Sequence, residues 1–150
     1  MTQPITIFRA TVAHVELAAP LFDAYRQFYK QVSDVEACKH FLRERISRNE
    51  SIVFLAMLGD EAVGFMQLYP TFSSISLKPL WVLNDLFTSP TARKHGVGSA
   101  LLERARQLAL ETGAKGLTLS TAVDNFTAQR VYERMGWKRD EGFYHYNLLA

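Results

Sequence analysis

Apolar residues recur along the chain in two rhythms, and the places where the rhythm changes mark its elements. Ile5-Thr6-Ile7-Phe8-Arg9-Ala10 alternates and is rich in β-branched residues, which predicts a first strand. Thr11 is a suitable cap for a helix running to about Tyr29, with Leu17, Leu21, Phe22, Tyr25 and Phe28 at helical spacing. Pro20 removes a backbone donor inside that pattern and predicts a kink or a restart there. A second helix is expected from Val35 to Ile46, entered at Ser33 or Asp34. The apolar run Ser51 to Leu58, the turn Gly59-Asp60 and the run Glu61 to Tyr69 read as a hairpin. Pro70 to Pro79 is rich in serine and reads as a loop, followed by a strand from Leu80 to Thr88 that Ser89-Pro90 stops.

In the second half the helical and extended rhythms alternate. Gly98 to Thr112 carries Leu101, Leu102, Ala105, Leu108 and Ala109 on one stripe, with Gly113 placed to close the helix. Leu117 to Ala122 reads as a strand, Asn125 to Met135 as a helix stopped by Gly136, and Phe143 to Leu148 as a final alternating strand. A short strand at Trp137-Lys138 fits before it. The order is that of a mixed α/β protein, and its strand-helix-strand steps require a partly parallel sheet.

Composition narrows the function. At 150 residues, with 48% apolar and 21% charged residues, the chain is sized for one globular domain covering 1–150. Seventeen basic against 15 acidic residues leave a net charge of +2, too even to suggest a nucleic-acid partner. No apolar run approaches the roughly 20 residues that span a bilayer, so no membrane partner is expected. Met1-Thr2-Gln3-Pro4 lacks the basic flank and apolar stretch of a secretory signal. The single cysteine, Cys38, excludes an internal disulfide and fits a reducing, cytoplasmic setting. His14, His40, His95 and His145 show no metal-ligand spacing, so no metal is expected.

Charge is concentrated in one place. Arg93-Lys94-His95-Gly96-Val97-Gly98 lies between a strand and a helix, where unpaired amides and the helix dipole favour an anion. Glycine lets the backbone approach a ligand closely, and Ser99 adds a hydroxyl from the first helical turn. A nucleotide P-loop would need Gly-Lys-Ser/Thr, which is absent. A dinucleotide fingerprint would need a small residue where Leu101 stands, and its glycines would follow the strand without the seven intervening residues Ser89 to His95. A solvated basic helix entry is the plainer alternative.

The stretch Leu86-Phe87-Thr88-Ser89-Pro90-Thr91-Ala92-Arg93-Lys94-His95-Gly96-Val97-Gly98-Ser99-Ala100-Leu101-Leu102 resembles the signature of the GNAT acetyltransferase superfamily, of the form Arg/Gln-x-x-Gly-x-Gly/Ala after a strand. Asp124 to Trp137, with Asn125, Ala128, Tyr132, Gly136 and Trp137, is similar to the family's Asn-x-x-Ala-x-x-x-Tyr-x-x-x-Gly-aromatic pattern. The resemblance implies a central mixed sheet flanked by helices on both faces, and transfer of an acetyl group from acetyl-CoA to a primary amine. It further implies that the main chain of Leu86, Phe87 and Thr88 pairs with the pantetheine arm, as an added strand would. The turn Arg93, Lys94, His95, Gly96, Val97, Gly98 and Ser99 would hold the pyrophosphate. By the same resemblance Asn125 contacts the cofactor arm, although as a residue it is equally a helix N-cap. Tyr132, two helical turns after Asn125, corresponds to the tyrosine that protonates the departing thiolate; an aromatic at a helix-sheet boundary would look the same. Asp85 is the acidic candidate for the base, or else a residue that holds the strand end. The acceptor is expected to be a small molecule such as a polyamine or amino acid, drawn in by acidic residues including Asp23, Asp34, Glu36 and Asp85. Alternatives are a protein or peptide N-acetyltransferase and a non-catalytic acyl-CoA-binding module. A homodimer is compatible with exposed strand edges.

Overall fold

The computed structural model describes residues 3–150. Its strands are β1 (Ile5–Arg9), β2 (Ile52–Leu58), β3 (Glu61–Ser73), β4 (Lys78–Thr88) and β5 (Leu117–Thr118), and its helices are α1 (Val15–Phe28), α2 (Val35–Ser47), α3 (Val97–Glu111) and α4 (Phe126–Arg134). Two short 3₁₀ turns, Val12–His14 and Pro90–Ala92, precede α1 and α3. The strands form one sheet in the order β1-β2-β3-β4-β5. Every pairing is antiparallel except β4 with β5, which is parallel. The architecture is the mixed α/β one that the element order implied. By contact density the chain divides into two compact units, the first reaching to Leu119 and the second running from Ser120 to Ala150.

In the first unit the two faces of the sheet bury against different helices. Val53, Leu55 and Phe65 face Ala18, Ala19 and Phe22 of α1 and Leu42 of α2, all buried, and Phe22 stacks on Phe65 at 5.4 Å. The alternate residue Gly64 faces α3, where a Cβ would lie 2.6 Å from Val97 Cγ1 and 3.0 Å from Leu101 Cδ1. The start of α3 therefore rests directly on β3 backbone, and only glycine admits it there.

Several expectations change, among them the strand read from Leu117 to Ala122, which ends at Thr118. Pro70 to Pro79 is not a loop: β3 and β4 continue as a hairpin, pairing Pro70 with Trp81 and Phe72 with Pro79, with its turn near Leu77. Proline is tolerated because β2 pairs with β3 only as far as Leu68, so the Pro70 nitrogen faces an edge with no ladder to supply. Pro20 neither ends nor restarts α1, which runs through it from Val15 to Phe28. Packing of Ala18, Ala19, Leu21 and Phe22 into the core holds the helix despite the missing donor.

A buried carboxylate ties α1 to α2. Asp23 accepts hydrogen bonds from Ser33 Oγ (2.6 Å), Asp34 N (2.8 Å) and Gln27 Nε2 (3.1 Å). The Ser33 bond, seconded by the Asp34 amide and the Arg26 charge, holds its pKa below the ordinary 3.8 against the opposing effect of burial. Asp34 in turn caps α2 through Ala37 N. Asp23 is thus committed to the fold, and Asp34 to the cap of α2. Cys38, buried beside Asp23, has its thiol pKa raised by burial, as suits an inert core residue.

Taken by itself, the second unit carries α4 and no strand. The Asn125 side chain accepts from Ala128 N at 3.2 Å as the helix cap, and Gly136, at φ 97°, follows its end. The alternating run Phe143 to Leu148 finds no ladder partner inside this unit, and alternation alone does not make a strand.

Candidate active site

The site develops along β4 and the turn that follows it. From Gly64–Thr88 to Gln67–Asp85 the β3–β4 register is regular; Leu68 then pairs with Leu83, so Asn84 is the extra residue of a β-bulge. The β5 partner reaches only Trp81 and Val82. Beyond Val82, the edge of β4 turned away from β3 has no strand beside it among the described residues, and Leu86, Phe87 and Thr88 lie on that stretch. At the bulge a bond arrives from α1: the Tyr25 hydroxyl donates to the Asn84 carbonyl at 3.3 Å.

Asp85 sits at the bulge, 5% exposed, on the α1–α2 side of the sheet. Gln67 Nε2 donates to one carboxylate oxygen at 2.9 Å and Asn84 Nδ2 to the other at 3.1 Å. Burial raises the Asp85 pKa above 3.8, and the bonds from Gln67, Asn84 and Tyr25 oppose that rise. A buried carboxyl with a raised pKa takes up a proton more readily than an ordinary carboxylate does. Tyr69 has its own pKa pushed up to about 12, by burial first and by the Asp85 charge second, against a smaller opposing pull from Arg45. The phenol therefore remains protonated.

After Thr88 the chain turns through Pro90–Ala92 and extends at Arg93. Lys94 (φ 71°) and Gly96 (φ 79°) both adopt left-handed backbone, the first unusual for a residue with a Cβ. Gly96 is the N-cap of α3, and no side chain caps the helix. The amides of Val97, Gly98 and Ser99 precede the first intrahelical bond, Ala100 N to Gly96 O, and have no acceptor in the helix. Val97 itself is buried, which anchors the start of α3 against the sheet. A Cβ on Gly98 would meet only Thr88 Oγ1, at 3.8 Å, so the strand end and the helix start are neighbours with bare backbone between them.

Of the residues expected to form the site, Asp85, Leu86, Phe87, Thr88 and Arg93 to Ser99 lie on one strand-turn-helix path of the first unit. Asn125 and Tyr132 lie on one face of α4 in the second, with the Tyr132 ring 6.1 Å from that of Trp137. Gln67, Asn84 and Tyr25 escape sequence reasoning, because their relation to Asp85 depends on strand register and on a one-residue bulge. Among the described residues no three His, Cys, Asp or Glu side chains are grouped to hold a metal, and no helix is long and apolar enough to cross a membrane.

Residues 18–137 match the family model described as acetyltransferase (GNAT) family. The chain belongs to this family. The GNAT match spans most of the sequence and crosses the boundary between the two units. The chain is 44% identical over 144 residues to an N-acetyltransferase of Bacillus subtilis, YhfO, named as uncharacterised, with 96% of this chain and 97% of the relative covered. A solved structure described as a probable acetyltransferase superposes with a TM-score of 0.92 at 45% identity, covering 97% of each chain. An aminoglycoside N-acetyltransferase crystallised with CoA shares the fold at a TM-score of 0.82 and 19% identity, over 100% of this chain and 98% of its own. The enzyme is an acetyltransferase.

Proposed function

We propose that the whole chain acts as one domain that moves acetyl from acetyl-CoA to a primary amine of a small molecule such as a polyamine or amino acid. The observation that carries this is the bare edge of β4 leading straight to the uncapped start of α3. An extended chain bearing amides matches the first, and a pyrophosphate matches the second. Leu86, Phe87 and Thr88 offer main-chain partners to the pantetheine arm. The amides from Val97 to Ser99 hold the diphosphate, with Arg93, Lys94 and His95 supplying charge around it. Glycine at position 98, which no contact in the first unit demands, leaves the room a phosphate needs against the backbone. The aminoglycoside enzyme crystallised with CoA supports this reading, since it pairs the same fold with this carrier.

When bound, acetyl-CoA supplies the activated acyl group; the chain supplies position and proton traffic. Asp85 accepts the proton that an ammonium must lose before its nitrogen can attack, directly or through a water. Tyr132 supplies a proton to the sulfur that leaves, and Asn125 adds a contact from the cap of α4. Isothermal calorimetry with CoA, followed by thiol release from acetyl-CoA across a panel of amines, tests the proposal. Binding of CoA with release dependent on a small amine is expected. No heat with CoA, or release that depends only on peptide acceptors, would overturn it.

A further inference from the structure

Gln67 is 0% exposed, sits directly across the sheet from Asp85, and gives it a 2.9 Å hydrogen bond through Nε2. Its other amide atom, Oε1, is buried with no hydrogen-bond partner among the described residues. A wholly buried amide with an idle acceptor is unusual, because leaving such an atom unbonded costs stability that an apolar side chain of the same shape would not lose. Mid-sheet placement of so polar a side chain therefore calls for a compensating purpose. The arrangement around Asp85 supplies one. With the carboxyl ionised, Gln67 donates to one of its oxygens and Asn84 to the other, while the Tyr25 hydroxyl from α1 also bonds it and the protonated Tyr69 of β3 faces it. Once Asp85 takes a proton on the oxygen facing Gln67, two donors confront each other at 2.9 Å, and an acceptor is needed in that spot. An amide oxygen and an amide nitrogen are nearly the same size, so turning the Gln67 amide over delivers Oε1 there without repacking its neighbours.

We propose that Gln67 is a positioning residue that serves Asp85 in both protonation states, its Nε2 donating to the carboxylate and its Oε1, after the amide turns over, accepting from the carboxylic acid. The proton that arrives on Asp85 stays on Asp85; Gln67 gains and loses nothing. The bond to the ionised form is charge-assisted and the stronger of the two, so Gln67 also opposes the rise that burial imposes on Asp85. This role in catalysis rests on Asp85 being the base, as proposed above, whereas the pairing itself does not.

The test uses the full chain and two readouts. In the wild type, the Gln67 side-chain amide resonances are expected to shift along the titration of the Asp85 carboxyl carbon, with the same midpoint. In Gln67→Met, which keeps length and packing but offers no donor or acceptor of comparable strength, that midpoint is expected to rise by about one pH unit. The acid limb of the kcat/KM profile should rise with it while the KM for acetyl-CoA stays near the wild-type value. Amide resonances that ignore the Asp85 titration, or a midpoint in Gln67→Met equal to that of the wild type, would overturn the proposal. The two ideas fail separately. Full activity in Asp85→Asn removes the base but leaves the nuclear-resonance result to decide the pairing. An inactive Asp85→Asn beside an unmoved midpoint removes Gln67 alone.

Discussion

Single residues here do one of two jobs, and their hydrogen bonds tell them apart. Asp23 accepts from a backbone amide, a serine and the Gln27 amide with its pKa lowered, and Asp34 caps α2, which is how carboxylates hold a fold together. Asp85 is instead bonded by the side chains of Gln67, Asn84 and Tyr25 in a buried site where its pKa is raised, which is how a proton acceptor is prepared. Residue type does not separate these three; the family resemblance points to Asp85 alone, and strand register with the direction of its pKa shift sets it apart from the equally buried Asp23. Tyr132 and Asn125 are different. Their spacing of seven places them on one face of α4 whatever the tertiary structure, so their pairing is legible from the chain alone. If Tyr132 delivers the proton to the leaving sulfur, Tyr132→Phe should lower kcat by one to several orders of magnitude and leave the Kd for CoA almost unchanged. Stopped-flow thiol release beside calorimetry checks both halves. A kcat within a factor of two of the wild type would take Tyr132 out of the mechanism.

Elements carry the next layer, and two glycines that look alike in the sequence separate here. Gly64 lies mid-strand under α3, with Val97, Ala56 and Leu101 within 3.0 Å of where a Cβ would go. Gly64→Ala forces the helix away from the sheet and should cost about 1–3 kcal/mol, read as a lower Tm. Gly98 stands in the first turn of α3 with nothing nearer than 3.8 Å. Gly98→Ala should leave Tm unchanged or raise it, because alanine narrows the unfolded ensemble at a helical position. Its expected defect is in CoA affinity, by about tenfold or more, since the methyl group would stand where the diphosphate lies against the backbone. A Gly98→Ala enzyme with wild-type CoA affinity would show that the bare amides serve only the helix entry. The turn itself is plain in the sequence because glycines between a strand and an apolar stripe mark a helix entry with open backbone. The β3–β4 hairpin is hidden there because Pro70 and Pro79 punctuate it, and the end of the β2 ladder at Leu68 is what lets Pro70 stay in its strand. The bulge at Asn84 leaves no trace in composition at all.

At the scale of the molecule, the mixed sheet and its helices follow from the order of rhythms, while the environment of Asp85 and the capped, buried Asp23 need the folded chain. These two carboxyls bring opposite pH dependences to one cooperative unit. Asp23 binds its proton less tightly folded than unfolded, so its stabilising contribution is present above pH 3.8 and is lost as the pH falls through its lowered pKa. Asp85 binds its proton more tightly when folded, so its contribution is full below 3.8 and declines as the pH rises through its raised pKa. Removing each charge should therefore move the stability curve in opposite senses. Asp23→Asn should be less stable by about 1–3 kcal/mol at neutral pH, and the deficit should shrink as the pH drops below 3.8. Asp85→Asn, whose new amide can donate to the idle Oε1 of a turned Gln67, should gain in Tm relative to the wild type as the pH rises from 3.8 toward neutrality. Thermal melts of the three proteins across that range settle the matter. Parallel curves for Asp85→Asn and the wild type would mean that Asp85 is not held toward its acid form. If Asp85→Asn is also inactive while more stable, the enzyme keeps at the bulge of β4 a charge that its fold would be steadier without, and the chemistry is the reason for keeping it.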